Sequence, residues 1–568
     1  MLSSNLAKFV WLRHSQHRGS AHSAGKLRRR PARAHSTRTM RYHLLTFILP
    51  LLALAYSTNA IKILGIFPYD GQSHFIVIKV LLQELARRGH DVTVISHFPE
   101  DNPPKNYHDI SLYIPKETTD SVEDATRIER SYLSVLQVGI FLVTNGKETC
   151  KVMLENKEVQ NLINRKEKFD VVLTEQFNSD CSLGLAYKLG APVVGITTHV
   201  LMPWHYKRFG IPNNPSYVSF HFLEGGTKPS LIQRLERVVF DVYFKALYYF
   251  VTQRADQNML AQYYNDIPPL EELGRDIKFL LLNHHFVLTG SSLFPANVIE
   301  VGGFHIAKAN PLSGDLKKFV EEADQGVIYI SFGTTVRLSL MSLQKLEAIL
   351  GAIGEMPQRF IWRWDKKTSM DKKPFNQLSQ KYLDILTDKK KIYIGTWLPQ
   401  VDILGHPKVL AFFTHAGMGG TTEAIHFGVP LVAMPITGDQ PANAAAIEES
   451  GFGVQQPVND LTKESLVENF KKVLEPEFRE KVKQRTKAWH DRPLSPIDTA
   501  VYWIEYTARN GNFTFRTPAA DVPCYQYVHL DIALVIVVIV AAVFLLIKAV
   551  WSSRKENKKT VNSKKKKQ

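Results

Sequence analysis

The sequence predicts an α/β protein with two parallel-sheet units and a membrane-spanning helix near its end. Three observations predict it. From Ile61 onward, short apolar runs alternate with segments of helical periodicity, the pattern of βαβ units and so of parallel strands. The alternation restarts near Gly326, after a Pro- and Gly-containing stretch at 302–314. Residues 532–547 are unbroken apolar sequence, which Leu530, Ala549, Val550 and Trp551 extend to the roughly 20 residues a bilayer span requires.

In the first unit, residues 61–66 read as a buried strand. A turn over 67–74 leads to a helix with Ile78, Leu81, Leu82 and Leu85 on one face. Ser73 is its expected N-cap and Gly89 its C-terminal stop. Strands over 92–96, 169–173 and 192–196 follow. Residues 197–260 are dense in aromatics, among them Trp204, Phe220, Phe240, Phe244 and Tyr248. Such density suits a core, an apolar pocket or a face resting on a membrane. In the second unit, strands are expected over 327–332, 360–364, 409–414 and 431–434, with a glycine turn and a helix ending at Gly428 between the last two. Ile497, Val501 and Ile504 place a further helix over 495–510.

The net charge of +16 over 568 residues points to a polyanion partner only if it covers the fold. It does not. Residues 1–39 carry nine Lys/Arg and no acid, and residues 552–568 carry eight with one acid, Glu556. These ends account for the whole excess, and a near-neutral body excludes nucleic-acid binding. Arg41, the apolar run 44–54 and the small residues ending at Ala60 read as a secretory signal starting at Met40. An Arg-rich organelle transit peptide is the alternative. The Lys-rich tail belongs on the cytoplasmic side of the span, which leaves the body lumenal. Lys565 and Lys566 stand fourth and third from the end, like a di-lysine retrieval signal of the endoplasmic reticulum. Cys150, Cys181 and Cys524 allow one disulfide and show no metal-type spacing. Asn512 opens a glycosylation triplet.

The chemistry concentrates at expected carboxyl ends of strands, where open parallel sheets bind ligands. His74 follows the first strand and can take a proton from a hydroxyl. Such a base needs a carboxylate on its other ring nitrogen. Glu175, after the 169–173 strand, is the first choice and Asp180 the fallback. In the second unit the 44-residue block 397–440 runs from WLPQ through THAGMGGTTEA to TGDQ. His415, Gly417, Gly419 and Gly420 form a strand-to-helix turn suited to phosphates. Trp397 can stack on a flat base, with Gln400 beside it. Glu423 can accept from ribose hydroxyls, and Asp439 with Gln440 can grip sugar hydroxyls. Ser331 and Thr334 of the SFGT turn add hydroxyl donors. The glycine pattern is neither dinucleotide nor Walker type. No DxD-like metal pair stands out, so no metal or other cofactor is expected.

Together the His74 loop, the SFGT turn, the 44-residue block, the DRPLSP run at 491–496 and the terminal anchor resemble the membrane-bound UDP-glycosyltransferases of animals. The FNSDC sequence after FDVVLTE resembles insect members. The resemblance implies two facing Rossmann-like domains of GT-B type, the first binding the acceptor and the second the UDP-sugar. It matches His74 to the catalytic base, Trp397 and Gln400 to nucleoside contacts, and His415, Gly417 and Gly420 to the diphosphate cradle. Glu423 matches the ribose contact, and Asp439 with Gln440 the sugar contacts. Glu175 stands where Asp is usual, and Ala416 where Gly is usual.

The expected layout is a basic extension either not translated or not retained (1–39), signal peptide (40–60), acceptor domain (61–305), linker (306–325) and UDP-sugar domain (326–494). A C-terminal helix and envelope segment (495–529), transmembrane helix (530–551) and cytoplasmic tail (552–568) complete it. The expected protein is an inverting, metal-independent hexosyltransferase of the endoplasmic reticulum membrane. It passes glucose, with glucuronic acid as the alternative, from a UDP-sugar to a hydroxyl of a small lipophilic acceptor. A transferase for lipid acceptors and a non-catalytic binding protein are the alternatives. Acceptor identity and oligomeric state stay open.

Overall fold

The computed structural model describes residues 60–113, 130–334, 336, 340–364, 369–513 and 515–565. The expected extension and nearly all of the signal segment lie outside these residues, as do Thr514 of the glycosylation triplet and Lys566 of the tail motif. Asn512 is exposed.

The first sheet comprises β1 (Lys62–Phe67), β2 (Asp91–Ser96), β3 (Tyr107–Ser111), β4 (Val171–Glu175), β5 (Val193–Ile196), β6 (Phe279–Leu282) and β7 (Val298–Glu300). Its order is β3-β2-β1-β4-β5-β6-β7, with every pairing parallel. The second comprises β8 (Val327–Ser331), β9 (Arg359–Arg363), β10 (Ile392–Gly395), β11 (Val409–Thr414), β12 (Leu431–Ala433) and β13 (Gly453–Gln455). Its order is β10-β9-β8-β11-β12-β13, again all parallel. Both are doubly wound sheets whose strand order reverses beside the first strand, the Rossmann-like arrangement. Burial follows from that topology. Helices cover both faces, so β4 and β8 are buried at every position and read as continuous apolar runs.

Seven helices matter for the site and surfaces: α1 (Gln72–Arg87), α2 (Tyr132–Glu155), α3 (Leu231–Leu247), α4 (Met418–Phe427), α5 (Gln440–Glu449), α6 (Pro496–Asn510) and α7 (Leu530–Lys565). The expected N-cap of α1 is corrected. Gly71 occupies that position with no side-chain cap, and Ser73 lies inside the first turn. Gly89, at φ +95°, ends α1 as expected.

The 495–510 helix, α6, belongs with the first sheet rather than with the second unit that precedes it. Ala500, Val501 and Ile504 are buried in the core shared by α1, β1 and β4. Trp503 packs on Phe279 of β6 at 4.5 Å, and Glu505 bonds His90 beyond α1 at 3.1 Å. The chain therefore crosses between the sheets twice. α7 is the one helix among the described residues long and apolar enough to span a membrane. It continues past the expected limit at 551, through the basic tail to Lys565.

Asp180, the fallback carboxylate, turns out to be structural. It lies at the start of the helix Cys181–Leu189 and takes a bidentate pair from the wholly buried Arg208 at 2.7 and 2.8 Å. Gln253 adds a bond at 2.8 Å. Burial works against this charge, but Arg208 outweighs it and holds the carboxyl down at about 2. The Cys150–Cys181 disulfide ties α2 to the same helix. Arg208→Met should destabilise the protein by about 3–5 kcal/mol, because it strands a buried charge. Arg208→Met with Asp180→Asn should recover part of that loss. Thermal or denaturant unfolding of the three proteins measures both.

Candidate active site

His74 and Glu175 come from the two strands that flank the reversal point of the first sheet. β1 and β4 are neighbours, with Ile66 paired to Thr174. The residue after Thr174 and the loop after β1 therefore open on one crevice. The His74 Nδ1–H donates to Glu175 Oε1 at 2.7 Å, and the Thr198 hydroxyl donates to the same oxygen at 2.7 Å. Burial pushes the Glu175 carboxyl up, but the charge and hydrogen bond of His74 and the bond from Thr198 outweigh it, leaving it below its ordinary value. Tyr69 and Phe177 stand against the His74 ring at 4.8 and 4.6 Å. Phe177 is fixed in turn, since its carbonyl accepts the Trp204 indole N–H at 2.9 Å.

His199, just beyond β5, completes this cluster, and the sequence reading missed it. Its ring lies 5.2 Å from that of His74. Its Nδ1–H donates to the Val200 carbonyl at 2.5 Å, a carbonyl that also accepts from His221 Nε2. That leaves the buried Nε2 of His199 without a hydrogen-bond partner among the described residues. Burial, and then the neighbouring His74, lower its pKa. The ring thus presents a lone pair beside the His74–Glu175 pair. Ligand-type atoms of His74, Glu175 and His199 lie within 4.8 Å of one another.

The second sheet repeats the geometry. β8 and β11 flank its reversal point, with Ser331 paired to Thr414. His415 follows β11, and its half-buried ring is gripped between Gly333 and Gly417. A Cβ would come within 2.6 Å of that ring at Gly333 and 2.5 Å at Gly417, so side chains larger than hydrogen are excluded at both places. Burial lowers the pKa of His415 to about 4, against the pull of Asp439. Ala416, at φ +62°, adopts the left-handed conformation that favours glycine. Gly417 is the N-cap of α4 and offers no side-chain cap, which leaves the first-turn N–H groups for an anion. Gly419 has open space where a Cβ would stand, whereas Gly420 faces the Gln400 amide.

The remaining expected residues gather around this turn. The Gln400 amide donates to Glu423 at 2.7 Å and accepts from the Tyr329 hydroxyl at 3.1 Å. Trp397 is 60% exposed, so a face of its indole is free to stack, and the Arg363 guanidinium lies 5.9 Å from the ring centre. Arg363 also donates to the Gly333 carbonyl, tying the SFGT turn to Trp397. Ser331 is buried and Thr334 exposed. Asp439 is the N-cap of α5 but makes no side-chain cap bond. Instead Asn443 donates to Asp439 Oδ2 at 2.9 Å and to the Ala416 carbonyl at 2.9 Å. Gln440 Oε1 accepts the backbone N–H groups of Ile436 and Thr437 at 2.8 and 3.0 Å, so only its amide N–H groups remain for a ligand. The Asp439 charge acts on His199 and His221 of the first sheet and on His415 of the second. The carboxyl edges of both sheets therefore face one cleft. Arg363, Asn443, Tyr329 and His199 were not singled out from sequence: Arg363 and Tyr329 meet partners 30 and 71 positions away, Asn443 also reaches the Ala416 carbonyl 27 positions away, and His199 matters for a ring nitrogen that pairs with nothing among the described residues.

A family profile described as UDP-glucoronosyl and UDP-glucosyl transferase matches residues 62–567. This chain is a member of that UDP-glycosyltransferase family. It is 33% identical over 524 residues to UDP-glucosyltransferase 2 of Dactylopius coccus, covering 90% of this chain and 98% of the relative. It is 29% identical to UDP-glucuronosyltransferase 2B7 of Homo sapiens, covering 86% and 94%. Among solved structures, Phytolacca americana UGT2 complexed with UDP-2fluoro-glucose and pterostilbene matches with TM-score 0.53 and 16% identity, over 79% of this chain and 100% of the other. That likeness establishes the two-domain GT-B fold. The UDP-glycosyltransferase is thus an enzyme that carries its cleft between two Rossmann-like sheets.

Two predictions follow from the geometry of this cleft. Asn443→Ala removes both bonds that fix Asp439 and the Ala416 carbonyl. Losing about 1.4 kcal/mol of positioning corresponds to a tenfold weaker KM for the UDP-sugar, with a smaller change in kcat; steady-state kinetics would read the split. The half-buried His415 and the buried His221 both have pKa values lowered to about 4, below the ordinary 6.5 of an unfolded histidine. Their contribution to stability is complete above about pH 6.5 and is lost as pH falls toward 4. The thermal midpoint should fall across that window, and His221→Phe should flatten the fall. A midpoint constant from pH 7 to pH 4.5 would contradict this.

Proposed function

We propose that the enzyme transfers a hexose, glucose in the first instance, from its UDP conjugate to a hydroxyl of a small lipophilic acceptor with inversion at the anomeric carbon. The observation that carries this reading is the 2.7 Å bond between His74 and Glu175 at the mouth of the cleft. With Nδ1 committed to Glu175, Nε2 of His74 takes the proton of the acceptor hydroxyl. The acceptor oxygen forms a bond to the anomeric carbon as the bond from that carbon to the diphosphate oxygen breaks. The proton stays on His74, where Glu175 balances the new charge, and UDP leaves with the electron pair. The first turn of α4 and His415 meet the developing negative charge, Trp397 and Gln400 hold the base, Glu423 the ribose, and Asp439 with Gln440 the sugar. A helix end and a hydrogen bond from the neutral His415 ring, meeting the diphosphate together, favour a reaction without a metal. Glucose is favoured by the name of the Dactylopius coccus relative, and the human relative's name keeps glucuronic acid as the competing donor.

The single long apolar helix α7 supports a membrane-anchored enzyme, and we place the body on the lumenal side of the endoplasmic reticulum because the Lys-rich tail follows the span. Turnover of labelled UDP-glucose and UDP-glucuronic acid with a panel of small phenols tests the reaction, and full activity in excess EDTA tests metal independence. His74→Ala should lower kcat by about 10²–10⁴-fold while UDP affinity, read by calorimetry, stays within a factor of two or so. Glu175→Gln should lower kcat less. Wild-type turnover by His74→Ala would remove His74 from the chemistry.

A further inference from the structure

The Nε2 atom of His199 is buried and has no hydrogen-bond partner among the described residues. Such an atom destabilises the fold unless something else takes its lone pair. The tautomer of the neutral ring is fixed, because Nδ1 meets the Val200 carbonyl and a carbonyl only accepts. Nε2 therefore carries the lone pair. An imidazole whose other N–H is held by a backbone carbonyl is the form in which histidine binds metals. Glu175 is prepared in a similar way. His74 and Thr198 both donate to its Oε1, and hydrogen bonds of this kind orient the carboxylates of metal sites. Phe177 lies against both rings, 4.6 Å from His74 and 5.0 Å from His199, and gives the cluster an apolar wall.

A ligand-type nitrogen of each ring and a carboxylate oxygen of Glu175 lie within 4.8 Å of one another. Two imidazoles and one carboxylate are the donor set of a zinc site with one position left open. Magnesium and calcium prefer oxygen ligands throughout. Zinc holds nitrogen and oxygen at about 2.0–2.2 Å, so the three groups must draw in. The His74 side chain, 19% exposed, has room to turn. We infer that His74, Glu175 and His199 form a binding site for a divalent transition cation of the zinc type, and that filling it stops sugar transfer. That filling stops transfer rests on His74 being the base, as proposed above. If the cation takes Nδ1 of His74, the proton carried there passes through water to Nε2. If it takes Nε2, it occupies the lone pair directly. Either way the nitrogen that receives the hydroxyl proton is no longer free. The cation is thus an inhibitor of a reaction that runs without it.

The test uses the full chain in chelator-free buffer. ZnCl₂ is titrated during turnover of whichever of UDP-glucose and UDP-glucuronic acid is the donor, with a small phenol as acceptor. CoCl₂ is titrated without substrates, because its visible absorption reports the ligands around it. Zinc should inhibit, EDTA should restore turnover, and the same concentration of MgCl₂ should leave it unchanged. His199→Gln and His199→Phe are compared where their UDP affinity matches the wild type. They should need at least about tenfold more zinc for half-inhibition, and their cobalt band should be weakened or lost. Glu175→Gln removes a second ligand and is read by the cobalt band alone, since it lowers turnover by itself. Equal zinc sensitivity in the wild type and the His199 variants would put the inhibiting ion elsewhere and overturn this inference. A wild type without a cobalt band overturns it too. So does a His199-dependent band at undiminished turnover, since the filled site would then be active. The base assignment is judged separately by His74→Ala without added metal, so its failure is told apart from a failure of the metal site.

Discussion

In both sheets the chain reverses its strand order beside the first strand, and the site depends on that constraint. Reversal leaves two neighbouring strands whose following segments run to opposite sides, with a crevice between them. β1 and β4 place His74 and Glu175 in one crevice, and β8 and β11 place the SFGT turn and His415 in the other. Neither pair is close in sequence. A parallel register only four or five residues long brings each together at the distance of a hydrogen bond or a ring contact.

Electrostatics then divides the labour between the crevices. Glu175 remains below its ordinary value despite burial, because His74 and Thr198 supply hydrogen atoms to it. Its neighbour along the chain, Asp180, is more buried and carries a charge of the same sign, yet it is bound by Arg208 and Gln253. The two carboxylates differ in role because of what faces them. On the other side of the cleft, the surroundings of His415 lower its pKa to about 4, which suits the ring to offer a hydrogen bond rather than a charge in the proposed reaction.

Much of this was legible in the sequence, for identifiable reasons. Buried parallel strands write themselves as apolar runs, so β1, β2, β4, β5, β8, β9, β11 and β12 stood out to within two residues. β3, β6, β7, β10 and β13 did not, since a run of three to five residues is ambiguous by pattern alone. His74 was visible as a polar residue in the turn that follows a strand, and Glu175 as one at a strand's carboxyl end. The choice between Glu175 and Asp180 was not, because it turns on Arg208, 28 positions beyond Asp180. His199 was hidden for a similar reason: its significance lies in a ring nitrogen without a partner, which no spacing reveals. The aromatic density at 197–260 carried too little periodicity to divide core from surface, and the structure divides it helix face by helix face.

The return of α6 to the first sheet has a practical bearing. Its Ala500, Val501 and Ile504 fill the interior beside α1, and Arg88 reaches Asp498 at 2.5 Å. A shortened, water-soluble version cut before residue 495 would therefore injure the opposite lobe, not the one from which the cut was made. The stop codon for such a version belongs between the end of α6 at Asn510 and the start of α7 at Leu530.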